Sequence, residues 1–406
     1  MITDKKISEL IKAETRRQSE ELTLIASENY IWPEAQAALA SSLTNKYSEG
    51  YAGKRYYPGN QFIDEVEKLA IERAKKLFGV EHANVQALSG AQANLIIYSA
   101  LLKPSDKILA LSLDNGGHLS HGHSANWSSQ IYKFEHYSVD QKTGRLDMAA
   151  IAKQAKIFKP KLIVAGFSAY SREIDWVGFK KITDSVGAYL LADISHTAGL
   201  IAGKAMASPA KYADVIMTTT HKSLRGPRAA IIMCRKELAE IIDKAVFPGF
   251  QGGPHENAIA SLAITLELAT KAAWKNYAKL VIKNSQALAS ALQKLDYKII
   301  SGGTDNHLMV VDLTNKNISG KEAETRLATA GLLVSRSTIP ADPRPPYNPS
   351  GIRIGTPAIT TRGFKPADMK NLAQLIDNIL KTKDDREFKA CAQAVKKLTK
   401  KLTLSK

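Results

Sequence analysis

Ala213-Asp-Val-Ile-Met-Thr-Thr-Thr-His-Lys-Ser-Leu-Arg-Gly-Pro-Arg228 is the stretch from which the rest of the chain is read. Its first five residues are a short, β-prone apolar run, so a strand ends near Met217 and Lys222 falls just past it. A lysine there, after a row of hydroxyls and a histidine, is well placed to form an imine with a carbonyl compound. Such amines work only where desolvation or neighbouring charge lowers their pKa. A lone loop lysine is ordinarily solvated, so its neighbours in the fold have to decide the matter.

Outward from that stretch, residues 82–235 alternate short apolar runs with helical segments, which predicts a mostly parallel α/β sheet flanked by helices. The runs are Ala83–Ala87, Ile108–Leu113, Leu162–Gly166, Tyr189–Ala192, Ala213–Met217 and Ala229–Met233. Ligands of such sheets gather beyond the carboxyl ends of the strands. The residues that follow the runs are Ser89-Gly90-Ala91, Gly116-Gly-His118, Ser168, Asp193 with His196, and His221 with Lys222.

These residue types suit pyridoxal phosphate (PLP). Asp193 ends an apolar strand, where a carboxylate is costly unless it meets a positive partner such as a protonated pyridine nitrogen. Lys222 supplies the imine, and Ser89, Gly90 and Ala91 open a helix whose N–H groups and dipole suit a phosphate. His118, His121 and His123 lack the cysteines or carboxylates that would complete a metal site, and His118 is better suited to stack on the cofactor ring. Arg353 is a natural bidentate clamp for an amino-acid carboxylate.

Farther out, residues 7–22 have helical spacing and predict an N-terminal arm. Residues 45–59, rich in tyrosine and glycine, read as a loop that is costly to order unless it lines something. Asn60 to Gly79 reads as a helix with Asn60 as its N-cap and Phe62, Val66, Leu69, Ala70 and Leu77 as its apolar positions. Residues 257–293 are mainly helical and lead into strands at Tyr297–Ile300, His307–Leu313 and Leu332–Ser335. The expected organisation is an arm over 1–45, a large PLP-binding α/β domain over 46–270 and a smaller α+β domain over 271–406. Two cysteines without a CxxC, Cys234 and Cys391, argue against a disulfide framework or a zinc site. No signal peptide or membrane span is visible, so the cytoplasm is the default location. Of the net charge of +17, +6 lies in residues 381–406. No nucleic-acid reading motif accompanies that charge, so it is read as a solvated helix face rather than a nucleic-acid site.

The chain resembles the serine hydroxymethyltransferase family along nearly its whole length. The match is carried by Leu24-Ile-Ala-Ser-Glu-Asn-Tyr30, Glu49-Gly-Tyr-Ala-Gly-Lys-Arg-Tyr-Tyr57, Gly116-Gly-His-Leu-Ser-His-Gly122 and Gly166-Phe-Ser-Ala-Tyr-Ser171. Asp193-Ile-Ser-His-Thr-Ala-Gly199, Thr218-Thr-Thr-His-Lys222, Phe247-Pro-Gly-Phe-Gln-Gly-Gly-Pro254, Ser301-Gly-Gly-Thr-Asp-Asn-His307 and Gly351-Ile-Arg-Ile-Gly-Thr-Pro-Ala-Ile-Thr360 continue it. The resemblance implies a fold-type-I PLP enzyme that moves the serine hydroxymethyl carbon to tetrahydrofolate, giving glycine. By the same resemblance Lys222 binds PLP covalently, Asp193 pairs with its ring nitrogen, His118 stacks on it, and His196, Ser168 and His221 lie beside it. Ser89, Gly90 and Ala91, with the partner subunit's Tyr47 and the partner subunit's Gly253, would hold the phosphate. Ser27 and Arg353 would hold the substrate carboxylate, and Glu49 and Tyr57 would manage protons. Glu49, Tyr56, Leu113, Leu119 and Ser337 match folate-pocket positions. The family forms homodimers with shared active sites, in some cases tetramers.

Three departures stand out. Ser335-Arg-Ser-Thr338 replaces the family's Asn-Lys-Asn-Ser/Thr, Leu88 replaces a histidine before the Ser-Gly turn, and Asn115 replaces one before Gly116. A serine is shorter than asparagine and has fewer polar atoms. The altered folate segment therefore opens a second enzyme reading, a folate-independent aldolase or transaldolase acting on β-hydroxy amino acids such as threonine. A basic nucleic-acid-binding protein is the non-enzymatic rival.

Overall fold

The apolar runs of residues 82–235 become strands of one seven-stranded sheet in the computed structural model, which describes residues 2–401. These are β1 (His82–Asn84), β2 (Lys107–Leu111), β3 (Lys133–Tyr137), β4 (Leu162–Gly166), β5 (Tyr189–Asp193), β6 (Val215–Thr219) and β7 (Ala230–Cys234). Their order across the sheet is β1-β7-β6-β5-β4-β2-β3. β2 to β6 run parallel, while β7 is antiparallel to both of its neighbours. Every residue of β4, β6 and β7 is buried. Continuous apolar runs are what a sheet covered on both faces requires. β3 escapes the sequence reading because Lys-Phe-Glu-His-Tyr alternates polar and aromatic residues, and its burial alternates with them at the sheet edge.

Because β2, β4, β5 and β6 are parallel, the loops leaving their carboxyl ends emerge along one edge. Asp193 is the last residue of β5, and Lys222 lies three residues past β6. The helix Gly90–Leu101 buries Ala93, Asn94, Ile96, Ile97 and Tyr98. The helix Gln61–Phe78 ends on Gly79 at φ 72°. Asn60 does not cap it through its side chain, since its amide donates instead to the Tyr57 carbonyl (2.8 Å). The inward face also differs from the expected one. Ile63, Glu67, Ala70, Ala74 and Leu77 point inward, whereas Phe62 and Leu69 are exposed. The face at i, i+4, i+7 and i+11 includes an acidic residue because Arg55 pairs with it.

By contacts the chain divides into one unit of residues 29–279 and another of residues 1–28 with 280–406. The second unit holds the antiparallel sheet β8 (Lys298–Ile299), β9 (Leu308–Asp312), β10 (Ser335–Ser337) and β11 (Gly351–Gly355), in the order β8-β9-β11-β10. The segment read as one strand at Leu332–Ser335 splits in two. Leu332–Leu333 pairs in parallel with Leu22–Thr23, and Ser335–Ser337 joins β11. The helix Lys5–Glu20 is capped by Asp4, buries no residue and leaves Ile7, Leu10 and Ile11 exposed. Of the basic stretch 381–406, residues 402–406 lie outside the described residues, and Asp385–Lys401 forms a helix that packs Phe388, Cys391, Ala392, Val395 and Leu398 on the core of this unit. Lys389, Lys396, Lys397 and Lys400 are exposed, as a solvated face requires. No described helix is long and apolar enough to cross a membrane.

Candidate active site

The strand-end residues converge on a cavity of about 180 Å³. Ser89, Gly90, Ala91, His118, Ser168, Asp193, His221 and Lys222 all line it, together with Asn94, Phe167, Ser195, Met217 and Thr219. Gly116, at φ 99°, ties two of the contributing loops together: its carbonyl accepts from the N–H of Ser168 (2.7 Å) and of Ala169 (3.1 Å). A side chain at Gly116 would begin 2.9 Å from the Ala169 carbonyl carbon, so the close approach requires glycine. His196 is buried beside this cavity, its ring 6.4 Å from that of Phe167. Leu113 and Leu119 flank the His118 loop, Leu113 half-buried and Leu119 exposed.

Asp193 is the electrostatic centre. One carboxylate oxygen meets His121 Nε2 at 3.0 Å and accepts from Asn94 Nδ2 at 3.2 Å, and the other accepts from the Ser195 N–H at 3.1 Å. Burial works against ionisation. The hydrogen bonds from His121 and Ser195 and the Lys222 charge outweigh it and hold the carboxyl well below the ordinary range. His121 Nδ1 accepts from the His118 N–H (3.3 Å), which leaves the Nε2 proton for Asp193. Ser120 extends the network, its hydroxyl 2.8 Å from both His118 Nδ1 and Asn94 Nδ2. Burial and the nearby Arg228 and Lys222 charges push His221 down to about 4, and its buried Nδ1 has no hydrogen-bond partner among the described atoms.

The sequence reading missed Asn94 and His121. Asn94 is one helical turn past Gly90 and faces the same way. His121 is three residues past His118, and on sequence alone it reads only as a candidate metal ligand. Among the described residues no group of three or more His, Cys, Asp or Glu is arranged to hold a metal ion.

Tyr47, Glu49, Tyr56, Tyr57 and Gly253 form a second cluster and do not line this cavity. Tyr47 donates to Glu49 Oε1 (3.4 Å), whose charge raises the tyrosine pKa. The Tyr47 and Tyr57 rings meet edge to face at 5.1 Å, and a side chain at Gly253 would begin 3.5 Å from the Tyr47 ring. Tyr47, Tyr56 and Tyr57 are 55%, 72% and 45% exposed, so the loop is ordered without its aromatic faces being covered.

A buried charge cluster underneath accounts for that order. Arg55 pairs with Asp64 (2.8 Å) and Glu67 (3.1 Å) and donates to the Ser48 and Gly50 carbonyls, both at 2.8 Å. Ser48 donates to Glu256 at 2.6 Å. Burial raises the Glu256 carboxyl to about 7; the Glu67 and Asp64 charges add to this, and Ser48 and Arg55 oppose it. The folded chain therefore keeps this proton above pH 4.5, where the unfolded carboxyl releases it. Stability relative to Glu256→Gln is expected to fall by about 3 kcal/mol as pH rises from about 4.5 to 7 and then level off. Urea midpoints of the two proteins at pH 5 and pH 8 check this, and a pH-independent difference would contradict a buried, protonated Glu256.

In the other unit, Arg353 sits at the centre of β11, opposite Val310 on β9 and Ser335 on β10. Its Nε donates to Ser335 Oγ at 3.3 Å, and burial lowers its pKa to about 10, so it stays charged at neutral pH. The residue that departs from the expected asparagine is thus the cross-strand neighbour of the expected carboxylate clamp. Ser337 lies opposite Gly351, and its hydroxyl donates to the Thr338 carbonyl (3.1 Å). The Gly355 N–H donates to the Leu24 carbonyl (2.7 Å), which brings the segment containing Ser27 to the end of the strand that carries Arg353.

The chain matches the family described as serine hydroxymethyltransferase over residues 1–376 of its 406. Members are PLP-dependent transferases of one-carbon metabolism that interconvert serine and glycine with tetrahydrofolate as co-substrate, with PLP bound to a lysine. Of the two enzyme readings opened by the altered Ser335–Thr338 segment, the match supports the folate-dependent one. With a fold-type-I sheet and a family match spanning more than nine-tenths of its length, the chain belongs to the serine hydroxymethyltransferase family.

Proposed function

We propose that the cavity around Lys222 is where this chain converts serine and tetrahydrofolate to glycine, 5,10-methylenetetrahydrofolate and water. The observation that carries this is the meeting of Lys222, Asp193, His118 and the Ser89–Ala91 helix start in one cavity. PLP fits the residues present. The first helical bond after Ser89 is donated by Ala93, so the N–H groups of Gly90, Ala91 and Gln92 precede it and suit a phosphate. Ser89 makes no side-chain cap bond of its own. Asp193, held ionised, suits a protonated ring nitrogen, and the orphan Nδ1 of His221 can accept or donate to a bound group.

When bound, PLP supplies an electron-poor ring that takes up the charge left at the serine Cα when its bond to Cβ breaks. Lys222 would hold the cofactor covalently, and His118, Ser168 and His196 would pack beside it. Asp193, held ionised, would favour a protonated ring nitrogen. Arg353 binds the amino-acid carboxylate with Ser27. Glu49 and Tyr57 move the proton of the serine hydroxyl. Leu113, Leu119, Tyr56, Glu49 and Ser337 receive the folate.

Glu49, Tyr56 and Tyr57 act from an exposed loop, and this supports a homodimer. In it Tyr47 of the partner subunit and Gly253 of the partner subunit complete the phosphate site. The cytoplasm is the proposed location. Serine turnover is expected to depend on added tetrahydrofolate and to exceed threonine and allo-threonine cleavage. Turnover indifferent to tetrahydrofolate, with faster threonine cleavage, would move the assignment to an aldolase.

A further inference from the structure

Arg225 lies three residues past Lys222 and adopts φ 61°, a left-handed conformation that a residue with a side chain holds only when its surroundings enforce it. Its N–H donates to the Lys222 carbonyl (3.1 Å), and the Gly226 N–H donates to the Thr220 carbonyl (2.7 Å), so Lys222 is carried on a closed turn. Burial lowers the Arg225 pKa, yet among the described residues no carboxylate pairs with it. The guanidinium lies instead over the Trp32 ring at 4.0 Å and 5.6 Å from the Tyr277 ring, and its Nε donates to the Tyr30 carbonyl at 2.8 Å. Aromatic faces replace the anion that a buried cation usually needs.

The other side of the turn is gripped as well. Ser223 donates to the His196 carbonyl (2.7 Å) and accepts from the Gly199 N–H (3.1 Å). Trp274 joins the two grips. Its ring packs on Trp32 (6.0 Å) and Tyr277 (4.9 Å), and its Nε1 donates to the Gly199 carbonyl (3.0 Å).

We propose that Arg225, held by the aromatic cage of Trp32 and Tyr277, is a positioning residue that fixes the backbone of Lys222 and so aims its amine into the cavity. Without the cage, residue 225 relaxes towards negative φ. The Lys222 carbonyl that its N–H holds then shifts, and the amine is aimed less often. The carboxylate clamp of the substrate is built from other residues and stays as it is. This inference rests on Lys222 being the cofactor lysine.

The test adds PLP to the cofactor-free forms of the wild type and of Arg225→Ala, Arg225→Lys, Trp32→Ala and Lys222→Ala. It follows the rate at which the absorbance band of the lysine-bound cofactor develops, with thermal midpoints and steady-state kinetics alongside. Arg225→Ala and Trp32→Ala are expected to slow uptake and lower kcat by about ten- to a hundredfold, the size of effect a roughly 1 Å misplacement produces, without changing KM for serine. Arg225→Lys, which keeps a cation in the cage, recovers part of both losses. A lower thermal midpoint with wild-type uptake and kcat in Trp32→Ala and Arg225→Lys would reduce Arg225 to a structural role, even if Arg225→Ala fails to fold. The absorbance band of a lysine-bound cofactor, as distinct from that of unattached PLP, surviving in Lys222→Ala would overturn the Lys222 assignment itself. Its absence there, with unslowed uptake in Trp32→Ala, would overturn only the positioning role of Arg225.

Discussion

Lys222→Ala is expected to abolish the visible absorbance of a lysine-bound cofactor and to lower kcat by on the order of 10⁴–10⁶, the range lost when one member of a catalytic unit is removed. The residue has two tasks on the proposed reading, holding the cofactor covalently and presenting an amine at the mouth of β6. Alanine removes both and leaves Asp193 with its His121, Asn94 and Ser195 hydrogen bonds intact. The variant should therefore still bind some PLP without attaching it. Absorbance spectra before and after dialysis, with single-turnover kinetics, check this. A wild-type spectrum would remove Lys222 from the centre of the site.

Arg353→Ala is expected to weaken serine and glycine binding by about 3–5 kcal/mol, roughly two to three and a half orders of magnitude, because a buried charge pair loses one partner. The guanidinium is held on β11 between β9 and β10, with its Nε donating to Ser335. The loss should fall on amino-acid affinity and leave cofactor binding unchanged. Titrating glycine into the variant decides the matter, and unaltered affinity would exclude Arg353 as the carboxylate clamp.

The first half of the site was legible because it lies at strand ends. Apolar runs such as Leu162–Gly166 and Val215–Thr219 announce buried parallel strands, and parallel strands deliver their following residues to one edge. Lys222, Asp193, His118 and Ser89 group together on that ground from the sequence alone. The supporting residues were not legible in the same way. Asn94 and His121 reach Asp193 from 99 and 72 residues away, and Trp32 reaches Arg225 from the far end of its unit. Polar and aromatic partners at such separations leave no period in the sequence. The helix Gln61–Phe78 shows the complementary failure. Counting apolar residues selects Phe62 and Leu69, but the buried face includes Glu67, which Arg55 and the Gln86 amide stand opposite.

The parallel pairing of Leu22–Thr23 with Leu332–Leu333 has a consequence for the order of assembly during synthesis. A ribosome that adds about 5–20 residues per second takes roughly 15–60 s to travel from one member of that pair to the other. Throughout that interval the N-terminal segment has no strand to join, while all of residues 29–279 emerge with their own core. The sheet that carries Lys222 can close before the unit that carries Arg353 has all of its parts. A growing chain can thus complete the proposed cofactor pocket before the proposed amino-acid clamp.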